Sequence, residues 1–208
     1  MKKINHLLEV GINMSLTSLQ KLELNKRVDK ILHAPSNAPA GGQQLEIAFV
    51  ADLSGDFEDT CQSIKDAVTA LKSHDKIFQN VRSNIVYWGN DKITTKVTPM
   101  SFIQMGKAFE DIEEIRKENV DNHSHFENLC EYLKLYHARC RCILLFLDCT
   151  YEAFEEQSFR IYDVEKAKGS LNPFLKHRLL VIAKNKMIPG NELFMKLITN
   201  KFQAFKNN

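Results

Sequence analysis

Apolar residues in this chain fall either into short continuous runs or into stripes with helical spacing. Continuous runs, typical of strands buried on both faces of a sheet, occupy residues 45–51, 142–147 and 179–183. Elsewhere the apolar residues recur every three or four positions, as they do from Phe57 to Leu71, which predicts amphipathic helices. Strands therefore alternate with helices from residue 45 onward. This order predicts an α/β fold with a three-layer α-β-α arrangement and a mostly parallel central sheet, in which the three runs are neighbours.

Turn-forming residues subdivide the rest of this region. Residues 84–89 form another predicted strand, and the Gly89-Asn90-Asp91 turn predicts that residues 92–97 return as one short antiparallel hairpin strand. Thr98-Pro99 predicts the start of a helix, because proline is favourable at the first helical position. Further helical stripes occur at 102–115, 129–136, 151–162 and 194–205. We predict a loop at Asn172-Pro173 and a turn at Pro189-Gly190.

The first 33 residues form a predicted N-terminal extension. Alternating apolar and polar residues at 8–14 allow a short strand, and Thr17 with Gln20 matches a capping box at the start of a helix. That helix carries Leu24, Val28 and Ile31 on one face, which we expect to pack on the main domain or on a partner. The proline- and glycine-rich residues 34–44 predict a linker, and residues 45–208 the main domain.

Composition and charge narrow the class of protein. The 208 residues are 44% apolar and 26% charged, as in ordinary globular proteins. The 28 basic and 26 acidic residues are well mixed and leave a net charge of +2, so we expect neither nucleic acid nor a membrane surface as partner. No run approaches the ~20 apolar residues of a membrane span. Five cysteines without a recognisable secretory signal predict reduced thiols and a cytoplasmic location.

Oxygen-bearing side chains follow two of the three apolar runs. Asp52, Ser54 and Asp56 come directly after the first run, and Asp148 follows the second. Because ligands of open α/β sheets bind at the carboxyl ends of the strands, we expect these side chains to meet at one edge. Nothing about a buried strand requires Asp52, whose carboxylate we expect at the rim of the sheet.

The segment Asp-x-Ser-Gly-Asp at 52–56 resembles the Asp-x-Ser-x-Ser metal-site signature of von Willebrand factor A (VWA) domains, with Asp56 in place of the second serine. Thr98 and Asp148 are similar to the family's second and third metal-site loops, although Cys149 replaces a glycine. The resemblance covers roughly residues 44–208, on our estimate of domain size.

The resemblance implies a metal-ion-dependent adhesion site. Asp52, Ser54 and Thr98 would reach Mg²⁺ directly or through water, Asp148 would act from outside the coordination sphere, and an acidic side chain of another protein would take the open position. If Asp56 also binds the ion, the extra carboxylate favours Ca²⁺ or Mn²⁺.

Each of these residues also has a simpler structural explanation. Asp56, with Asp59 three residues on, is typical of a helix N-terminus, where acids favour the helix dipole. Thr98 before Pro99 has the same potential as a cap. Asp148 could cap the helix after it, although Thr150 is better placed.

Histidines and cysteines form a second group that could hold zinc, within twenty residues of one another. Cys140 and Cys142 are expected on one face of a strand, but no Cys-x-x-Cys pair is present, and buried free cysteines with surface histidines are the commoner explanation. The group consists of His123, His125, Cys130, His137, Cys140 and Cys142.

The chain lacks the main enzyme signatures. There is no phosphate-binding glycine loop, no Gly-x-Ser-x-Gly elbow and no dinucleotide fingerprint. A Mg²⁺-dependent phosphohydrolase using Asp52, Asp56 and Asp148 is the alternative function. The sequence favours a protein-binding module over an enzyme.

Overall fold

The computed structural model describes residues 16–35, 45–53, 57–74, 81–89, 92–101, 126–161 and 173–206. The helices in these ranges are α1 (Ser18–Leu32), α2 (Phe57–His74), α3 (Phe126–Tyr136), α4 (Tyr151–Ile161), α5 (Pro173–Arg178) and α6 (Gly190–Lys206). The strands are β1 (Glu46–Asp52), β2 (Arg82–Gly89), β3 (Lys92–Ser101), β4 (Cys142–Phe146), β5 (Leu179–Ile182) and β6 (Met187–Pro189). None of the helices in this part of the chain combines the length and apolar character that a membrane crossing requires.

The strands form one six-stranded sheet in the order β3-β2-β1-β4-β5-β6. β1 runs parallel to both β2 and β4, and β4 runs parallel to β5. The predicted α/β class and mostly parallel sheet are therefore confirmed, as is the prediction that the three continuous apolar runs are neighbouring parallel strands. They become neighbours because all three bury both faces, and only the middle of a covered sheet offers that environment.

The sheet has two antiparallel edge strands where we predicted one. β3 returns along β2 as expected, and β6 returns along β5. The predicted Pro189-Gly190 turn was wrong, because Pro189 ends β6 and Gly190 begins α6. An edge strand tolerates Pro189 since only one side of the strand needs backbone donors. The turn lies earlier, where the Ala183 amide donates to the Lys186 carbonyl oxygen at 2.9 Å.

Helices cover both faces of the sheet, so the hydrophobic core has two halves. Ile47, Phe49 and Ala51 of β1 pack on the face covered by α1 and α2. Ala48 and Val50 point to the opposite face, which α3, α4, α5 and α6 cover. The alternation along β1 explains why its sequence is apolar without a break.

Helix α1 packs on the main body of the protein, which is one of the two arrangements that we expected. Thr17 and Gln20 form the predicted capping box, and Leu24 and Val28 are fully buried against the α2 face of the core. The Leu16 amide donates to Asp66 Oδ2 on α2 at 2.8 Å. The predicted strand at 8–14 and the linker residues 36–44 lie outside the described residues.

Two predicted element boundaries were wrong. Thr98-Pro99 does not begin a helix, because β3 continues to Ser101 and pairs along the whole of β2. Pro99 falls where the register of this edge strand is irregular, which is where a sheet accepts proline. Pro173, expected in a loop, is instead the first residue of α5. The helical stripe at 102–115 lies outside the described residues.

Candidate functional site

The strand order places a crevice between the ends of β1 and β4. The chain passes from β1 to β2 and β3 on one side of β1 and then crosses to β4 on the other side, so the strand order reverses between β1 and β4. Ligands of open α/β sheets bind outside the carboxyl ends of the strands at such a reversal. Asp52 is the last residue of β1, and Asp148 follows β4 by two positions. The fold therefore brings both predicted carboxylates to the same edge.

Cys149 reports how close the two carboxylates are. Burial, followed by the charges of Asp52 and Asp148, raises the pKa of the Cys149 thiol to about 11. Both carboxylates thus lie within electrostatic reach of one sulfur. A thiol with this pKa stays protonated at neutral pH, and it is the thiolate that acts as a nucleophile.

Asp52 is buried and does not lie at the rim, contrary to our expectation. Only 4% of its surface is exposed. Asp52 pairs with Trp88 in the parallel ladder, and the next amide, that of Leu53, donates to the Trp88 carbonyl oxygen at 2.8 Å. β1 is therefore paired within the sheet up to its last residue, and the Asp52 side chain is shielded from solvent. A buried carboxylate is stable only if hydrogen bonds or a cation compensate its charge.

Lys184 supplies a positive charge at this edge. Its Nζ lies 3.1 Å from Asp148 Oδ1 and 3.8 Å from Asp59 Oδ2, in the first turn of α2. Our sequence reasoning missed Lys184. It follows β5 by two residues, as Asp148 follows β4, so the rule that selected the carboxylates applies to it too.

The loop that carries Asp148 is held by the β5–β6 turn. The Lys184 amide donates to the Cys149 carbonyl oxygen at 3.1 Å, and the Tyr151 amide donates to Asn185 Oδ1 at 2.9 Å. The Ala153 amide donates to Thr150 Oγ1, so Thr150 caps α4. The simpler explanation of Asp148 as a cap is therefore not needed. Asp148 sits in a loop that the β5–β6 turn holds at two points, which suits a binding site that has to be preorganised.

The four charged side chains at this edge have an excess of negative charge. Asp52, Asp59 and Asp148 carry three negative charges when ionised, and Lys184 carries one positive charge, which leaves −2. In a partly desolvated crevice, such an excess attracts cations.

Thr98 does not reach this edge, so its prediction as a ligand beside Asp52 needs correction. The pairs Ile85–Lys96 and Ser83–Met100 flank Thr98, whereas Asp52 pairs with Trp88 at the other end of β2. Four residues of strand separate the two levels, a distance of about 13 Å. The reason is the length of β3, which carries Thr98 past the predicted loop and towards the amino edge. Ser54 and Asp56 lie outside the described residues, so their role as ligands stays a prediction.

Metal ligands gather nowhere in the described ranges, the carboxyl edge with Asp52, Asp59 and Asp148 included. There, no three histidine, cysteine or acidic side chains converge as they would around a metal ion. We expected Cys140 and Cys142 on one face of a strand. Cys140 instead precedes β4, and the two cysteines pack in opposite halves of the core. Burial raises the pKa of the Cys140 thiol to about 12. His123 and His125 lie outside the described residues.

All five cysteines are free thiols, as predicted. Comparison of the chain with protein-family models, with curated proteins and with solved structures finds no match in any of the three. The likeness to VWA domains therefore rests on the sequence segments around Asp52 and Asp148.

Proposed function

We propose that this chain is a VWA-like protein-binding module that recognises an acidic side chain of another protein through a divalent cation at the carboxyl edge of its sheet. The observation that carries the proposal is the meeting of Asp52 and Asp148 at the reversal between β1 and β4. Two acids from strands far apart in sequence are typical of a built site, because neither strand needs a terminal acid for its own stability.

The local charge supports a divalent cation. The excess of −2 on Asp52, Asp59, Asp148 and Lys184 matches the charge of Mg²⁺. Mg²⁺ takes about six oxygen ligands and keeps several waters, so a few protein groups suffice. In this proposal Asp52 binds the ion together with groups from residues 54–56, and Mn²⁺ or Ca²⁺ replaces Mg²⁺ if Asp56 takes part.

The contact with Lys184 gives Asp148 a proposed role that differs from the role of Asp52. Asp148 is already engaged by the Lys184 ammonium at 3.1 Å, so it acts on the cation from outside the coordination sphere. Asp52 is the more buried acid, and in this proposal its carboxylate contacts the ion directly. The open coordination positions then face the crevice, where a carboxylate of a partner protein can complete them.

Calorimetric titration with Mg²⁺ and Mn²⁺ tests the proposal. We expect saturable heat with the wild-type protein and at least a tenfold loss of affinity in Asp52→Asn, which keeps the shape of the side chain but removes its charge. Glu192→Gln removes one exposed acid from the first turn of α6 and serves as the matched control, with wild-type affinity. Absence of saturable heat in the wild type, or equal loss in both variants, would rule out the cation.

The partner side of the proposal needs its own experiment. A pull-down from cell extract, with the wild type and Asp52→Asn as baits, is run with and without a chelator. We expect proteins that are retained by the wild type in Mg²⁺ to be lost in both the chelator and the variant. Retention that ignores the metal and Asp52 would contradict a metal-bridged interface.

A further inference from the structure

A second concave site lies at the opposite edge of the sheet. A cavity of about 180 Å³ opens between the ends of α1 and α5 and the junction of β6 with α6. Its wall includes Leu179, the first residue of β5, and Pro189, the last residue of the antiparallel β6. The amino end of β5 and the carboxyl end of the antiparallel β6 meet at the amino edge of the sheet. The cavity is therefore separate from the crevice that holds Asp52 and Asp148.

Positively charged side chains from two helices line this cavity. Arg27 and Lys30 come from α1, and Lys176 and His177 come from α5. Arg27 is paired with Glu23, with Nη2 and Oε1 2.7 Å apart. Within the described part of the chain, neither Lys30 nor Lys176 has an acidic partner within 4 Å. Arg27, Lys30, Lys176 and Glu23 together carry a net charge of +2, with His177 taken as neutral.

The helix dipole explains why each lysine lies at the end of its helix. It does not explain why two lysines from different helices line the same cavity. Lys30 lies in the last turn of α1 and Lys176 in the last turn of α5, where positive charge is favourable. Arg178 in the same turn has a structural task, because it donates to the carbonyl oxygens of Ala138 and Cys140. Lys30 and Lys176 instead face one hollow from different helices. An anion in the hollow would be attracted by both ammonium groups.

The start of α6 adds to the positive potential of the cavity. Asn191, the second residue of this 17-residue helix, lies in the wall, and helix N-termini favour anions through their free N–H groups. Gly190 fixes this end in place: a Cβ there would lie 2.9 Å from the Leu175 carbonyl oxygen. α6 therefore begins tightly against α5, with its first turn beside the two lysines.

We propose that this cavity binds the phosphate group of a small phosphorylated compound. A phosphate monoester carries a charge near −2 at neutral pH, opposite in sign to the three cations of the wall, Arg27, Lys30 and Lys176. The cavity has room for about six waters, at about 30 Å³ each, and is smaller than the ~300–1,000 Å³ pockets of drug-sized ligands. A phosphate and a few further atoms fill a space of this size.

Titration with inorganic phosphate and with glycerol 3-phosphate, followed by calorimetry at constant ionic strength, tests this assignment. We expect saturable binding by the wild type and about tenfold weaker binding by Lys176→Gln. Lys186→Gln is the matched control, because Lys186 is also half-buried but lies in the β5–β6 turn at the other edge. Tighter binding of the ester would identify a phosphorylated compound as the ligand, and equal or tighter binding of inorganic phosphate would identify the free ion; either result supports the site.

The thermal unfolding midpoint in the presence of phosphate separates this site from the proposed function. Phosphate should raise the thermal unfolding midpoint of the wild type and of Asp52→Asn equally, because Asp52 lies at the opposite edge, and should raise that of Lys176→Gln less. Absence of saturable binding by the wild type, or equal weakening in Lys176→Gln and Lys186→Gln, would overturn the assignment.

Discussion

Replacement of Lys184 by methionine distinguishes a crevice that binds a cation from one in which the lysine alone balances the acids. Lys184→Met keeps the length of the side chain but removes the ammonium that contacts Asp148 and Asp59. The local charge becomes more negative by one. We expect the metal-free protein to become less stable and its affinity for Mg²⁺ to rise.

The distances set the size of both effects. At 3.1 Å the attraction between Lys184 and Asp148 is about 5 kcal/mol for an effective dielectric constant of about 20. The side chain of Lys184 is 30% exposed, so hydration offsets much of this attraction, and we expect a loss of about 1–3 kcal/mol in the free energy of unfolding. Even in a dielectric like water, an ammonium ~6 Å from a divalent ion repels it by about 1.4 kcal/mol. Its removal should therefore raise the affinity for Mg²⁺ about tenfold.

Urea unfolding in the presence of a chelator measures the first effect, and calorimetric titration with Mg²⁺ measures the second. Lys186→Met is the control, because Lys186 lies two residues away in the same turn but pairs with the exposed Glu152. It should leave the affinity for Mg²⁺ unchanged. The reasoning would be refuted if Lys184→Met bound Mg²⁺ with an affinity equal to or weaker than that of the wild type. The positive charge of Lys184 would then not repel a bound cation.

Two further predictions concern the core and its response to pH. Val28→Ala should lower the free energy of unfolding by about 2 kcal/mol, because Val28 is fully buried between α1 and α2. Leu22→Ala, on the exposed side of α1, should change it by less than about 0.5 kcal/mol. Equal losses for the two variants in urea unfolding would contradict the docking of α1. Burial lowers the pKa of His137 below its usual 6.5. The unfolded chain therefore takes up a proton at higher pH than the folded chain. The contribution of His137 to the stability is complete above pH 6.5 and falls as the pH drops below it. His137→Phe should flatten that fall in urea unfolding measured between pH 7.5 and 5.5, and an unchanged slope would show that another group is responsible.

Local patterns in the sequence determined most of the elements and their order. The apolar runs before Asp52 and Asp148 predicted central strands, because only a strand covered on both faces needs apolar residues at every position. Thr17 and Gln20 predicted the start of α1, since a capping box depends on side chains only three residues apart. The shared edge of Asp52 and Asp148 followed from the same reasoning, because parallel strands end together.

The tertiary structure alone decided which of the candidate side chains meet. Thr98 is carried away from Asp52 because pairing with β2 extends β3 beyond the point where its own sequence predicts a helix. Asp52 is buried because β1 pairs to its last residue, and Lys184 joins the acids because β5 lies beside β4. Turns, caps and periodicity depend on near neighbours in sequence, whereas the β1–β2 and β4–β5 pairings join residues 36 positions apart and the far end of the β2–β3 pairing joins Arg82 with Ser101, 19 positions apart, which no local pattern encodes.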